Sequence, residues 1–157
     1  MASMVLYLCQ HGDALAKDAD PDRPLSERGT TDVCNVANTL SGSIETAVIV
    51  HSGKTRARQT AELLHERIAP GAAIRAQEGL GPNDPVEAFA ATLDAREGNL
   101  LVAGHMPFVS RLASHLIGVD RDILAFRPGT VAALQHDADG GWTLAWMLTP
   151  DLASDQH

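Results

Sequence analysis

Three short runs of apolar residues limit the possible folds of this chain more than any other feature. They cover Met4–Cys9, Ala47–Val50 and Leu100–Ala103. Each run is continuous and has the length of a strand, a pattern typical of parallel strands that are covered by helices on both faces. We therefore expect the three runs to form the centre of a largely parallel sheet.

Amphipathic helical patterns separate the three runs. Apolar residues recur at helical spacing over 26–41 and over 54–68. A further helix is predicted to start at Asp84, and another to end at Gly118, because these residues are common at helix starts and helix ends respectively. Alternating strands and helices predict an α/β fold, specifically a three-layer α/β/α sandwich with a mostly parallel central sheet.

The C-terminal third of the chain has the period of strands. Residues 142–148 alternate between large apolar and smaller side chains, and residues 131–136 can pair with them across a turn at 137–141. This hairpin predicts an antiparallel strand near the end of the sheet, and one more short strand is expected between the second and third helices. We expect a single domain over residues 1–150 and a short tail at 151–157.

Length and charge exclude several classes of protein. The chain has 157 residues and a formal net charge of −8, which argues against a general nucleic-acid surface or docking on anionic lipid. No run reaches the length of a membrane span, and no positive charge precedes the first apolar run as in a signal peptide. We expect a cytoplasmic protein without nucleic-acid or membrane partners, and a monomer because no exposed apolar stripe is evident.

Polar residues suited to phosphate chemistry follow each apolar run directly. They are Gln10, His11 and Gly12 after the first run, Ser52 and Arg56 after the second, and His105 after the third. The carboxyl ends of parallel strands meet at one edge of the sheet, where ligands bind in folds of this class. The sequence therefore predicts that these residues form one site.

Basic residues are concentrated where the second run meets its helix. Lys54, Arg56 and Arg58 lie within five residues of an otherwise acidic chain, at a predicted helix N-terminus that favours anions. Because residues two apart on a helix face different directions, only some of these side chains can reach the site. Arg56 is the preferred phosphate ligand of the three.

The order of these motifs resembles the histidine phosphatase superfamily, which includes phosphoglycerate mutases and SixA-type phosphohistidine phosphatases. The family has Arg-His-Gly after its first strand, and this chain has Gln-His-Gly at 10–12. Its Ser-x-x-x-Arg-Ala-x-Gln-Thr stretch matches residues 52–60, its Gly-His matches 104–105, and Pro-Leu-Ser-Glu-Arg-Gly at 24–29 resembles its entry to the first helix. The likeness runs over nearly the whole chain.

The resemblance implies a phosphoglycerate mutase-like fold and a metal-independent phosphatase that uses no cofactor. By this resemblance His11 is the nucleophile, and Arg56 and His105 hold the phosphoryl group. Gly12 and Ser52 are further phosphate-binding candidates. Gln10 replaces the family's arginine and brings a neutral donor instead of a charge-assisted hydrogen bond, which predicts weaker phosphate binding or slower turnover. Lys54 is a candidate to compensate for the lost charge.

The substrate class follows from the short connection between the second helix and the third apolar run. It has room for one strand and one helix, without the helices that larger relatives insert over the site. An open site suits a phosphohistidine carried by a protein such as a phosphotransfer domain, as in the SixA-type branch. The alternatives are a small phosphorylated molecule as substrate of a phosphomonoesterase, and a non-catalytic phosphoprotein-binding module.

Two chemical questions stay open at the level of sequence. Three acids, Glu78, Asp84 and Asp13, are candidate proton donors, and nothing in the sequence decides among them. Glu78, after the short third strand, has a position that resembles that of the family's acid. A metal site built from His11, His51 and His105 is less favoured than a metal-free site, because no pair of these histidines has the fixed spacing of helical metal ligands.

Overall fold

The apolar runs form strands of one six-stranded sheet. The computed structural model describes residues 4–93 and 98–153. The strands are β1 (Val5–Gln10), β2 (Val48–His51), β3 (Ala73–Ala76), β4 (Leu100–Gly104), β5 (Val131–His136) and β6 (Trp142–Leu148). The helices are α1 (Glu27–Leu40), α2 (Thr55–Ile68), α3 (Val86–Leu93) and α4 (Phe108–Ile117).

The strand order across the sheet is β3-β2-β4-β1-β5-β6. β1, β2, β3 and β4 are mutually parallel, whereas β5 runs antiparallel to β1 and pairs with β6 as a hairpin. The predicted mostly parallel sheet and its antiparallel strand near the end are therefore confirmed. The two central strands, β1 and β4, are also the two that precede His11 and His105.

Side chains of the central strands alternate between two hydrophobic cores. On β1, Leu6 and Leu8 face the core formed with α3 and α4, whereas Tyr7 and Cys9 face the core formed with α1 and α2. All four side chains are at most 5 % exposed, because helices cover both faces of the sheet. The predicted three-layer α/β/α arrangement is confirmed, and it explains why the apolar runs are continuous.

Residues that commonly cap helices are found at two of the helix ends, whereas the start of α3 differs from the sequence prediction. α1 starts after Ser26, whose hydroxyl accepts a hydrogen bond from the Gly29 N–H at 2.9 Å. α4 ends at Gly118, which has a φ of +96° that favours glycine. Asp84 was expected to start the third helix, but its carboxylate accepts from the Gly81 N–H at 2.7 Å in the preceding turn, and α3 begins at Val86.

The chain continues after the hairpin into one turn of 3-10 helix at Pro150–Leu152, which lies against α1. Residues 154–157 of the expected tail fall outside the described residues, and the domain limits stay a prediction. Among the helices of the described ranges, none has the length and apolar character needed to cross a membrane.

Candidate active site

His11 and His105 lie side by side at the carboxyl edge of the sheet. β1 and β4 are parallel neighbours in which Gln10 pairs with Gly104, so both histidines follow at the same level. The backbone N–H of His11 donates to the Gly104 carbonyl at 2.9 Å. The two imidazole rings meet edge to face with their centroids 5.1 Å apart. The sheet register therefore brings together the two histidines that the sequence predicted to share a site.

The two histidines line an open cleft of about 430 Å³. Its lining residues are Gln10, His11, Asp13, Ala14, Arg23, Arg56, Pro82, His105, Met106 and Pro128. Four of the six predicted site residues are in this set. The other two, Gly12 and Ser52, do not line the cleft but are bonded to groups next to it.

A hydrogen bond between the His11 side chain and a backbone carbonyl fixes the tautomer of His11. Its Nδ1 lies 2.7 Å from the Gly12 carbonyl oxygen, which can only accept, so Nδ1 carries the proton. The pKa of His11 is lowered, and burial is the largest cause. The hydrogen bond to Gly12 raises this pKa, whereas the charges of Arg56 and Arg23 lower it further. The ring is therefore neutral near neutral pH, and its Nε2 keeps a free lone pair.

Ser52 contacts His105 directly. Its hydroxyl oxygen lies 2.6 Å from His105 Nε2 and also accepts from the Lys54 N–H at 3.3 Å. His105 is 1 % exposed, and burial, followed by the charges of neighbouring groups, lowers its pKa to about 3. The imidazole is therefore neutral. We interpret the Ser52 hydroxyl as the donor to Nε2, an arrangement that places the single ring proton on Nδ1.

Arg56 is the basic residue of its segment that reaches the cleft. Arg58 instead pairs with Glu62 at 3.1 Å on the surface of α2. The pKa of Arg56 is lowered, first by burial and then by the charge of Arg23, and both arginines line the same cleft. Two cations in proximity are favourable when an anion lies between them.

Thr60 joins the Arg56 helix to the loop after β1. The Thr60 hydroxyl donates to the Arg56 carbonyl at 2.8 Å and accepts from the Gly12 N–H at 3.0 Å. The Gly12 N–H, predicted to bind phosphate, is thus already engaged by a buried side chain. Thr60 is part of the 52–60 motif, but sequence reasoning gave it no role because its partner is distant along the chain.

Unpartnered polar atoms are concentrated at the cleft. Within residues 4–93 and 98–153, three buried side-chain atoms lack a hydrogen-bond partner: Gln10 Oε1, Arg56 Nε and His105 Nδ1. All three belong to residues that line the cleft. Buried polar groups are normally paired, so an unpaired cluster indicates a place for a polar ligand.

Arg23 is the cleft residue that sequence reasoning missed. It lies in the loop between β1 and α1, and its Nε–H donates to the Leu15 carbonyl at 3.0 Å. Its φ of +48° is rare for a residue with a side chain. The available signal was its place directly before the Pro-Leu-Ser motif at 24–26, but that motif had been assigned only to the start of α1.

The three candidate proton donors have different surroundings. Asp13 lines the cleft, and its carboxylate accepts from the Ser26 hydroxyl at 2.7 Å. Glu78 is exposed in the turn after β3, and the Asp84 carboxylate is bonded to the Gly81 N–H. Of the three acids, only Asp13 lines the cleft.

His51 does not line the cleft that His11 and His105 share. It lies at the end of β2 with Nδ1 accepting from the Gly53 N–H at 3.1 Å. Across the part of the chain that the structure describes, no group of three or more histidine, cysteine or acidic side chains is arranged to hold a metal ion.

Known proteins are similar to this chain in sequence and in fold. Residues 6–81 match the family model of the histidine phosphatase superfamily (branch 1). None of the curated proteins compared with the chain matches its sequence. The structure of the protein histidine phosphatase SixA complexed with tungstate is 25% identical, with a TM-score of 0.82, and the match covers 94% of this chain and 98% of that one.

Two further solved structures show the same fold at lower identity. A candidate SixA phosphohistidine phosphatase from Nakamurella multipartitia is 24% identical, with a TM-score of 0.78, and covers 96% of this chain and 98% of its own. Phosphoglycerate mutase from Plasmodium falciparum is 17% identical, with a TM-score of 0.71, covering 93% and 91%. The resemblance inferred from the motifs is therefore confirmed: residues 6–81 match the histidine phosphatase superfamily model, and the fold is similar to those of SixA and phosphoglycerate mutase.

Proposed function

We propose that this protein is a phosphohistidine phosphatase that removes phosphate from a phosphorylated protein histidine through a phosphorylated His11 intermediate. One observation carries the proposal: His11 Nδ1 is bound to the Gly12 carbonyl, which leaves an unprotonated Nε2 in a cleft shared with Arg56 and His105. A neutral imidazole held in this tautomer is a competent nucleophile toward phosphorus.

In the first step, His11 Nε2 attacks the phosphorus atom in line. A bond forms between phosphorus and Nε2 while the bond from phosphorus to the leaving imidazole nitrogen breaks, and that nitrogen takes up a proton. Arg56 and the Nδ1–H of His105 hold the phosphoryl oxygens, whose negative charge must be stabilised in the transition state. Asp13 is the acid within the cleft and supplies the proton in this proposal.

In the second step, water attacks the phosphohistidine. The bond between phosphorus and His11 Nε2 breaks, inorganic phosphate leaves, and the proton lost by water returns to the Asp13 carboxylate. The cycle restores neutral His11 without a metal ion, because guanidinium groups supply the positive charge that the transition states need.

Two features support a protein-bound substrate. In the described part of the connection from β3 to β4, residues 77–93 and 98–99, α3 is the single helix, and no inserted helix encloses the cleft there. One of the solved structures reported above, 25% identical to this chain, is that of a protein histidine phosphatase complexed with the oxyanion tungstate. An open cleft admits a phosphoryl group presented on a folded partner more readily than an enclosed pocket does.

Turnover of a phosphohistidine-containing protein and of 4-nitrophenyl phosphate tests this function. His11→Ala should lower kcat for both substrates by at least about 1,000-fold, since removing a covalent nucleophile removes the reaction path. His115→Ala is the matched control, because His115 is exposed on the last turn of α4, away from the cleft. Mass spectrometry of an acid-free quench should find the phosphoryl group on His11.

The alternatives make different predictions. Turnover that survives His11→Ala would overturn the covalent mechanism. Wild-type activity restricted to small phosphate esters would favour a phosphomonoesterase. Binding of phosphohistidine protein without turnover by the wild type would instead identify a phosphoprotein-binding module.

A further inference from the structure

We propose that Arg23 provides the second positive charge for the phosphoryl group, in a cleft where Gln10 provides none. The inference deepens the proposed function and rests on it, because it concerns how the same cleft holds the phosphoryl group.

The need for a second cation follows from charge balance. A phosphoryl group near neutral pH carries a charge of about −1.5 to −2, whereas the Arg56 guanidinium supplies a single positive charge. Gln10 is neutral, and burial keeps both His11 and His105 neutral. Among the cleft-lining residues, Arg23 is the other cationic side chain.

Several contacts fix the position of Arg23. The Nε–H of Arg23 donates to the Leu15 carbonyl, and the Leu15 N–H donates to the Pro24 carbonyl at 2.8 Å. These two hydrogen bonds close the loop. The residue after Pro24 is Leu25, and its backbone N–H donates to Gln59 Oε1 at 2.7 Å. Because Gln59 lies on α2 one turn after Arg56, the same helix positions both guanidinium groups.

The bond from Nε leaves the end of the guanidinium available. In the described ranges, neither terminal nitrogen of Arg23 has a hydrogen-bond or ion-pair partner. Terminal guanidinium nitrogens can bind two oxygens of one phosphoryl group. The positive φ of Arg23 is a strained conformation of the kind that is concentrated at functional sites.

Lys54, which the sequence offered as a compensating cation, is less suited to this role. It does not line the cleft, and its backbone N–H is bonded to the Ser52 hydroxyl. The loop before α1, rather than the start of α2, therefore carries the added charge.

Equilibrium binding of inorganic phosphate and of orthovanadate, measured by calorimetry, tests the inference together with kcat/KM for 4-nitrophenyl phosphate. Arg23→Gln should weaken oxyanion binding by about 10- to 100-fold, the effect expected for losing a charge-assisted hydrogen bond. Arg121→Gln is the matched control: it changes the net charge equally, and Arg121 is exposed beyond the end of α4, away from the cleft. Arg23→Lys should keep most of the affinity.

A rescue experiment addresses charge compensation directly. Gln10→Arg places a guanidinium at the neighbouring position of the cleft, so in the Arg23→Gln background it should restore oxyanion affinity to within about threefold of the wild type. In the wild-type background the same change should raise affinity much less, because the charge requirement is already met.

The outcomes separate this inference from the proposed function. A wild type that neither binds oxyanions nor hydrolyses phosphohistidine would overturn both. A wild type that does both, together with an Arg23→Gln variant that binds phosphate as tightly as the Arg121→Gln control, would overturn the role of Arg23 alone. Unfolding curves for each variant establish that the loss of binding is not a loss of fold.

Discussion

The Ser52 hydroxyl lies 2.6 Å from Nε2 of His105, so a residue after β2 controls an imidazole after β4. The Ser52 oxygen also accepts the Lys54 N–H, and we interpret the hydroxyl proton as donated to the ring. The proton of neutral His105 is then held on Nδ1, an atom that has no partner among the described residues. We interpret Ser52 as the residue that positions His105 as a donor, rather than as a phosphate ligand.

We predict that Ser52→Ala lowers kcat/KM by about 10- to 100-fold, because losing a hydrogen bond to a buried partner costs about 1–3 kcal/mol. Ser52→Thr keeps the hydroxyl and should retain most of the activity. Nitrogen NMR of labelled His105 provides a separate measurement: its protonated nitrogen should be Nδ1 in the wild type, and the tautomers should mix in Ser52→Ala. Equal activity of the Ala and Thr variants would contradict this role.

A close approach between α1 and the loop after β1 determines where His11 lies. A Cβ atom on Gly12 would come within 2.8 Å of Val33 Cγ2 and 3.0 Å of the Gly29 carbonyl oxygen. We therefore predict that Gly12→Ala destabilises the fold by about 1–3 kcal/mol, the usual cost of overpacking a dense core. Urea denaturation monitors this change through the free energy of unfolding.

Gly71→Ala is the control for that substitution. A Cβ atom on Gly71 meets no atom within 4 Å, and this glycine has no positive φ. Its variant should therefore unfold within about 0.5 kcal/mol of the wild type, as is usual for surface substitutions. Equal unfolding free energies for the two variants would show that the contact between α1 and the loop after β1 is not tight.

The fold and the strand ends were predictable from the sequence because strands that are buried on both faces consist of apolar residues. The runs at β1, β2 and β4 are apolar throughout since helices cover both faces, and the residues after them meet at one edge by geometry alone. These relationships required no knowledge of side-chain contacts.

The contacts within the site were less accessible to sequence reasoning. The Ser52 hydroxyl and the Gly12 N–H were both assigned to phosphate, but their partners, His105 and Thr60, lie far along the chain. Arg23 lies in a loop without periodicity, and its unusual φ depends on the contacts of that loop. Only the tertiary structure brings such pairs together.

Buried neutral histidines also make stability depend on pH. Burial lowers the pKa of His11 and, with neighbouring charges, lowers that of His105 to about 3, whereas an unfolded histidine titrates near pH 6.5. Below about pH 6.5 the unfolded state binds more protons than the folded state, so stability rises with pH in this range.

We accordingly predict that the free energy of unfolding falls progressively as pH decreases from about 6.5 toward about 3, the pKa of His105. His105→Asn removes the titrating group and should make the unfolding free energy less dependent on pH over this range. His115→Asn, at an exposed position, should leave the dependence as in the wild type. Urea denaturation at a series of pH values measures the three slopes, and parallel curves for wild type and His105→Asn would contradict the prediction.

Asp13 is the remaining acid to test, because it lines the cleft and its carboxylate accepts from the Ser26 hydroxyl. If it protonates the leaving group, the effect of Asp13→Asn depends on how much that group needs a proton. We predict a loss in kcat of about 100-fold or more for phenyl phosphate, whose leaving group is strongly basic, in the range typical of general acid catalysis. For 4-nitrophenyl phosphate the loss should be at least tenfold smaller, since its leaving group departs readily without a proton.

Glu78→Gln is the matched control, at an exposed acid outside the cleft, and should change neither rate. Equal losses for the two esters in Asp13→Asn would mean that Asp13 acts by positioning Ser26 and the start of α1, and not by transferring a proton.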